Sequence, residues 1–411
     1  MLVQHQIFDV FSDENVSIVV YKNKALKRSL INYLDVNGNS TINELSRELN
    51  ISVPKTTSLV NELIEDDLLK DYGKVDSTGG RRASIYGLVP EACFFIGVDV
   101  KRYYINIGLL NFKKQLISTS EKIPYKLENT TASLDQLVSI LQQFIAALPV
   151  DESKVLSICV SLSGRISTTT GHNYNYFNFL EEPLSQLLQR ETGIQCFQEN
   201  DTKTLSYGEF CCGEVTDEKN VLFLNLDYGI GLGILIDGKL YYGKSGFSGE
   251  FGHIPFFNNE ILCYCGKKGC LETEASGQSL LRKFSEKIAQ GSTSTILYDG
   301  KQLHDITLTD IILAAKNEDM LCIELLADIG DKIGRGLAML INIFNPELLI
   351  LGGTLSETGD YLRLPIHSAI NKYSPAIVNS DTQLKLSKLG EKAGVMGSCL
   401  MARNKILSIQ S

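Results

Sequence analysis

The chain has 411 residues, 44% of them hydrophobic, and a formal net charge of −9 at pH 7. That length suffices for two or three domains with their own cores, and no apolar run approaches a membrane span, so no membrane segment is expected. The acidic balance argues against indiscriminate nucleic-acid binding by the whole molecule, but not against one small DNA-binding module. With Gln4, His5, Asp9 and Asp13, the N-terminus has no signal-peptide pattern, so a cytoplasmic protein is expected. Cysteines such as Cys93, Cys159 and Cys399 lie scattered in apolar segments, which suits free thiols in a reducing compartment.

Residues 24–35 read as a helix, with Leu26, Leu30, Ile31 and Leu34 at helical spacing. Thr41 and Glu44 form a capping-box signature ahead of a second helix carrying Ile42, Leu45 and Leu49. Ser52 can cap a third helix, with Pro54 in the first turn, where a missing N–H costs nothing. That helix is expected to bury Val53, Val60, Leu63 and Ile64. Ser52, Lys55, Thr56, Thr57, Ser58 and Asn61 are its candidate DNA-contacting residues, because short polar side chains early in a recognition helix can approach base edges. Two strand-like runs, 68–73 and 83–88, bracket a turn containing Gly79, Gly80, Arg81 and Arg82. Such a hairpin makes a wing whose arginines suit phosphate or minor-groove contact. Residues 1–90 therefore read as a winged helix-turn-helix domain. A helical dimerisation module is the competing reading, favoured slightly by Glu62, Glu65, Asp66 and Asp67, which would repel phosphate.

Beyond residue 90, runs 94–100, 103–110 and 115–123 read as strands, 134–148 as a helix and 155–163 as a buried strand. A strand-like segment at 196–198 leads into Glu199-Asn200-Asp201. A second set starts at 221–226, passes Asp227-Tyr228-Gly229 and continues through 233–240. Long helices at 320–344 and 361–373 flank a buried strand at 348–351 that runs into Gly352-Gly353. The repeated β-β-β-α-β pattern predicts two similar lobes with a cleft between them. Gly229, Gly231 and Gly233 are either a phosphate-approaching turn or a plain glycine hairpin.

Between these sets lies a dense motif: Gly249-Glu250-Phe251-Gly252-His253, then Cys263-Tyr264-Cys265-Gly266-Lys267-Lys268-Gly269-Cys270-Leu271-Glu272. Three thiols and one imidazole in so short a span are the ligand set of a closed zinc site, with glycines that let the backbone turn tightly between ligands. Glu250 and Glu272 flank it.

The Glu250-x-Gly252-His253 and Cys263-x-Cys265-Gly266-x-x-Gly269-Cys270-x-Glu272 signature resembles the ROK family (repressors, open reading frames and kinases). The resemblance implies a two-lobed α/β sugar-kinase fold of the actin-like ATPase type over residues 91–411, with lobes near 91–205 and 206–390 and a C-terminal helix packing back. With the winged module in front, the chain resembles ROK regulators of the xylose and N-acetylglucosamine repressor type. By that resemblance Asn200, Asp201, Glu250, His253 and Glu272 would contact a sugar, with Asp201 at the position of a kinase's general base. His253, Cys263, Cys265 and Cys270 would bind one structural zinc, and the metal would fix the imidazole orientation.

Two loops depart from the kinase pattern. Asp99-Val100-Lys101-Arg102-Tyr103 lacks the glycines that allow close backbone approach to phosphate. Asp227-Tyr228-Gly229 puts a carboxylate where Gly-Thr-Gly is usual. The expected function is a sugar-responsive transcriptional regulator, a repressor by type, without enzymatic activity. Its expected partners are operator DNA, a sugar or sugar derivative, and further copies of itself in a homodimer or homotetramer. The alternative is an active ATP-dependent hexose kinase with an accessory DNA-binding domain, motivated by Asp201 and Gly352-Gly353.

Overall fold

In the computed structural model, residues 18–74, 83–298 and 301–407 are described. The N-terminal module has helices Ile18–Asn37, Ile42–Glu48 and Val53–Glu65. Its small sheet joins β1 (Ser40–Thr41), β3 (Ser84–Leu88) and β2 (Leu69–Lys74) in the order β1-β3-β2, all antiparallel. Leu30, Ile31 and Leu34 of the first helix are buried, as are Leu45, Leu59, Val60 and Leu63 of the next two. The capping box forms as expected: Glu44 N–H donates to Thr41 Oγ1 at 3.3 Å and Thr41 N–H to Glu44 Oε2 at 2.8 Å.

The third helix corrects two expectations. Its buried stripe is Thr56, Leu59, Val60 and Leu63, an i, i+3, i+4, i+7 set. Val53 continues that stripe by one turn, but the packing surface has ended there and its side chain is 45% exposed. Ile64 is only half-buried.

The chain divides into two compact units: residues 1–162, 171–199 and 398–411 form one, and 163–170 with 200–397 the other. The first contains β4 (Phe94–Val100), β5 (Tyr104–Asn111), β6 (Leu116–Pro124), β7 (Val155–Leu162) and β8 (Gln195–Asn200), in the order β6-β5-β4-β7-β8. The second contains β9 (Val221–Leu226), β10 (Ile230–Ile236), β11 (Lys239–Leu240), β12 (Leu348–Gly352) and β13 (Gln383–Leu386), in the order β11-β10-β9-β12-β13. In each sheet the first strand of the set pairs antiparallel with the second and parallel with the fourth. The duplication predicted from the strand pattern is therefore present. Strands β4, β7, β9 and β12 are buried along their whole length, which is why they read as mainly apolar runs, with Asp99, Ser157, Ser161 and Asn225 buried among them.

In the second unit, glycines set the approach of helix Asp201–Cys212 to the sheet. A Cβ at Gly231 would lie 2.1 Å from Thr202 Oγ1, and one at Gly233 would lie 1.7 Å from Ser206 Oγ. These alternate residues share one face of β10 because side chains in a strand repeat every second position. A Cβ at Gly229 would meet Glu272 Oε2 at 2.7 Å. The three glycines make room for packing and for the flanking carboxylate.

The C-terminal helix Lys392–Leu407 gives residues 398–407 to the first unit. There Arg403 is fully buried, and its Nη2 donates to Asp35 Oδ1 at 2.6 Å and its Nε to the Phe112 carbonyl at 3.2 Å. Lys114 Nζ lies 2.8 Å from Asp35 Oδ2. One carboxylate at the end of the first helix of the winged module thus ties it to a hairpin turn and to the C-terminal helix. Breaking such a buried pair leaves an uncompensated charge and costs about 3 kcal/mol. Arg403→Ala is expected to lose about that much in urea unfolding of the full chain, and Asp35→Leu/Arg403→Met to recover most of it. Equal midpoints for wild type and Arg403→Ala would contradict this.

Candidate functional site

The site grows from tight backbone turns in the second unit. Gly249 (φ +84°) approaches β10 so closely that a Cβ would lie 1.9 Å from the Leu232 carbonyl oxygen. A short turn of 3-10 helix, Phe251–His253, follows. The knuckle closes with Cys263 N–H donating to the Lys267 carbonyl at 2.8 Å and Gly266 N–H to the Cys263 carbonyl at 2.9 Å. Antiparallel bridges Pro255–Cys270 and Leu262–Lys268 bring its two ends together. Gly269 (φ +75°) sits where a Cβ would strike the Phe257 carbonyl oxygen at 2.2 Å. No residue with a side chain fits there.

These turns bring together one ligand atom each from His253, Cys263, Cys265 and Cys270, all within 4.8 Å of one another. Cys263 Sγ lies 3.5 Å from His253 Nδ1, and Cys265 Sγ 3.6 Å from Cys270 Sγ. A tetrahedral metal with arms of about 2.3 Å spaces its ligand atoms about 3.8 Å apart, so the set fits a four-coordinate ion. The sulfurs are much too far apart for a disulfide, whose S–S bond is about 2.05 Å. Burial lowers the His253 pKa and so favours the neutral imidazole that a metal requires. It also pushes the Cys263 thiol up to about 12, so metal binding must displace its proton.

Two carboxylates adjoin this cluster. Glu272 is buried and accepts the Ile230 N–H at 2.9 Å, with Cys263 Sγ 3.9 Å away. Burial is the main cause that raises its pKa. Glu250 Oε2 accepts from Arg165 Nε at 2.7 Å and lies 3.8 Å from His253 Nε2. That same imidazole nitrogen is 3.0 Å from the Tyr264 hydroxyl.

Asn200 caps helix Asp201–Cys212, its Oδ1 accepting the Lys203 N–H at 3.2 Å. Its Nδ2 donates to the Gly164 carbonyl at 3.0 Å and to Asp201 Oδ1 at 3.1 Å. Asp201 also accepts the Thr202 N–H at 2.7 Å, in the first turn, where the helix dipole favours a negative charge. Gly164 and Arg165 therefore link the Asn200–Asp201 pair to Glu250. Arg165 and Tyr264 had no sequence signal of their own beyond a glycine just after a buried strand and a tyrosine inside the knuckle.

The loops at Asp99 and Asp227 have local partners. Lys101 Nζ lies 3.4 Å from the buried Asp99 carboxylate. Asp227 Oδ2 accepts the Thr354 hydroxyl at 3.0 Å, next to Gly352 and Gly353.

In the N-terminal module Ser52, Thr57, Ser58 and Asn61 are exposed and Lys55 is half-buried. Lys55 Nζ donates to Asn23 Oδ1 at 2.8 Å, and Ser58 Oγ to Glu62 Oε1 at 3.0 Å. Thr56 is corrected as a DNA-contact candidate: it is fully buried and its hydroxyl donates to the Ser52 carbonyl of its own helix. Arg81 and Arg82 lie outside the described residues.

Residues 95–405 match the model of the ROK family, and residues 24–70 match a model described as winged helix-turn-helix DNA-binding. The chain belongs to the ROK family. It is 29% identical over 371 residues to the xylose repressor of Caldicellulosiruptor bescii, covering 89% of this chain and 92% of that protein. One similar solved structure is a ROK family transcriptional regulator described as a homologue of the E. coli MLC protein (TM-score 0.79, 24% identity, 95% of this chain, 98% of that one). Another is a ROK family glucokinase from Streptomyces griseus in complex with glucose and AMPPNP (TM-score 0.65, 26% identity, 76% of this chain, 99% of that one). The fold is thus that of ROK sugar-kinase-like proteins, preceded by a winged helix-turn-helix. Among the described residues no helix is long and apolar enough to cross a membrane.

Elemental analysis of the purified chain is expected to find about one bound metal ion per chain. Cys265→Ser should lose it and melt at a lower temperature, because metal-binding energy is also folding energy. Metal affinity should fall as pH is lowered, since the thiols must release their protons. A metal-free wild type with the same melting temperature as Cys265→Ser would refute this.

Proposed function

We propose that the chain is a DNA-binding transcriptional regulator of carbohydrate-utilisation genes, a repressor by type, whose effector is a sugar or sugar derivative. The observation that carries this is one chain holding both a winged helix-turn-helix and a ligand-poised group of Asn200, Asp201, Glu250, His253 and Glu272 beside the Cys/His cluster. Carboxylates and an amide are good partners for paired sugar hydroxyls. His253, Cys263, Cys265 and Cys270 would hold one zinc ion, and four protein ligands would leave no position open for catalysis, so its role would be structural. Held through Nδ1, His253 would keep Nε2 oriented toward the Tyr264 hydroxyl and Glu250.

Ser52, Lys55, Thr57, Ser58 and Asn61 would face operator DNA, with Arg81 and Arg82 reaching phosphate from the wing. A homodimer or homotetramer would read paired half-sites. The sugar acts by binding more tightly to the conformation with weaker operator affinity; without that difference it could shift nothing. Phosphoryl transfer is disfavoured because Asp227 sets a carboxylate, tied to Thr354, where a phosphate would need donors. Gly353 (φ +80°) and Asp201 keep a hexose kinase as the second reading.

Mobility-shift titrations with genomic DNA fragments are expected to show a retarded fragment that D-xylose, D-glucose or N-acetyl-D-glucosamine releases. No retarded fragment, or none that responds to any sugar, overturns the regulator reading. Arg81→Ala/Arg82→Ala should weaken DNA binding at all sequences and reduce the log–log salt slope by roughly 2. A coupled ADP assay with the same sugars should give no rate above an Asp201→Asn control; a sugar-dependent rate would favour the kinase.

A further inference from the structure

We propose that Arg165 is a positioning residue of the effector site, holding the Glu250 carboxylate so that Oε1 faces a hydroxyl of the bound sugar. This rests on the reading of Glu250 as a sugar contact.

The backbone that carries Arg165 is fixed from several directions. Gly164, just before it, has φ +113°, and its carbonyl accepts Asn200 Nδ2 at 3.0 Å. Three residues on, Thr168 N–H donates to the Ser245 carbonyl at 3.1 Å. A Cβ at Gly246 (φ +90°) would lie 2.7 Å from the Ile166 carbonyl oxygen, so the two segments touch backbone to backbone. Lys203, from the helix that Asn200 caps, donates to the Gly246 carbonyl at 2.5 Å. Arg165 therefore leaves a platform built from the same helix N-terminus that presents Asn200 and Asp201.

Its side chain reaches Glu250. Nε donates to Glu250 Oε2 at 2.7 Å, with the two side chains 30% and 39% exposed. Among the described residues the Glu250 carboxylate makes no other hydrogen bond, so Oε1 keeps its acceptor capacity. An ion pair this exposed contributes little to stability by itself. What it does restrict is the carboxylate's rotation, and ordering a polar group before binding removes a cost from the binding step. The pair also offsets one of three carboxylates in this unit's site, beside Asp201 and Glu272. The ammonium of Lys203 is committed to the Gly246 carbonyl. Arginine suits the role because its planar fork fixes direction as well as charge, which a lysine ammonium does not.

A double-mutant cycle on the metal-loaded full chain tests this, using calorimetry with D-xylose, D-glucose and N-acetyl-D-glucosamine. For whichever sugar binds the wild type, Arg165→Leu is expected to weaken binding roughly tenfold, a loss in keeping with one charge-assisted hydrogen bond. Arg165→Lys should recover part of that loss. Glu250→Gln should weaken binding at least as much as Arg165→Leu, and the double variant should bind no more weakly than Glu250→Gln alone. Metal content and melting temperature serve as folding controls and should match the wild type. Arg165→Leu binding within about twofold of wild type, or additive losses in the double variant, overturns the proposal while leaving the sugar reading intact. If none of the three sugars binds the wild type, the sugar reading itself fails and the proposal falls with it.

Discussion

Helix Asp201–Cys212 can occupy its place only because its neighbours present glycine. On one side, Gly231 and Gly233 of β10 admit Thr202 and Ser206. On another, a Cβ at Gly397 of the C-terminal helix would lie 1.8 Å from the Thr204 carbonyl oxygen, and one at Gly208 would lie 2.3 Å from the Ala393 carbonyl oxygen. Interiors are packed too densely to absorb even one added methyl at such contacts without backbone movement. By this close approach the helix N-terminus, with Asn200 and Asp201, is held at a fixed depth in its unit.

The polar site is assembled around that fixed helix end by short-range covalent geometry and long-range pairing together. The Cys/His knuckle is local: its four ligand residues fall within one loop, and glycines at 266 and 269 with φ of +84° and +75° supply the turns. Glu250 and Glu272 belong to the same loop system but are oriented by residues from elsewhere, Arg165 and the Ile230 N–H. With the Cys/His cluster and two carboxylates oriented by hydrogen bonds, polar groups that are already ordered lose little entropy on meeting a ligand.

Much of this was legible in the sequence because it depends on local spacing. The capping box at Thr41 and Glu44, the fully buried strands β4, β7, β9 and β12, and the long helix Met320–Phe344 all follow from periodicity or cap chemistry within a few residues. So does the clustering of His253, Cys263, Cys265 and Cys270, whose thiols and imidazole come from one short stretch. The repeat of element order between the two halves was visible too, although 233–240 read as one strand and the structure turns it at Asp237 and Gly238 into β10 and the two-residue β11.

The tertiary structure alone decided which face of a pattern meets which neighbour. Thr56 and Val53 both look like surface and core by residue type, yet Thr56 is buried and Val53 is 45% exposed, because the packing surface ends one turn inside the helix. The glycines of β10 looked like a turn signal, and only the approach of helix Asp201–Cys212 shows that they are contact positions. Arg165 and Glu250 are 85 residues apart in sequence, and Arg403 and Asp35 are 368 apart. Nothing local marks such partners, since a charged residue reads the same whether it faces water or a buried carboxylate. Sequence determined the elements, the family signature and the grouping of three thiols and one imidazole; the fold decided how the carboxylates beside that knuckle are held.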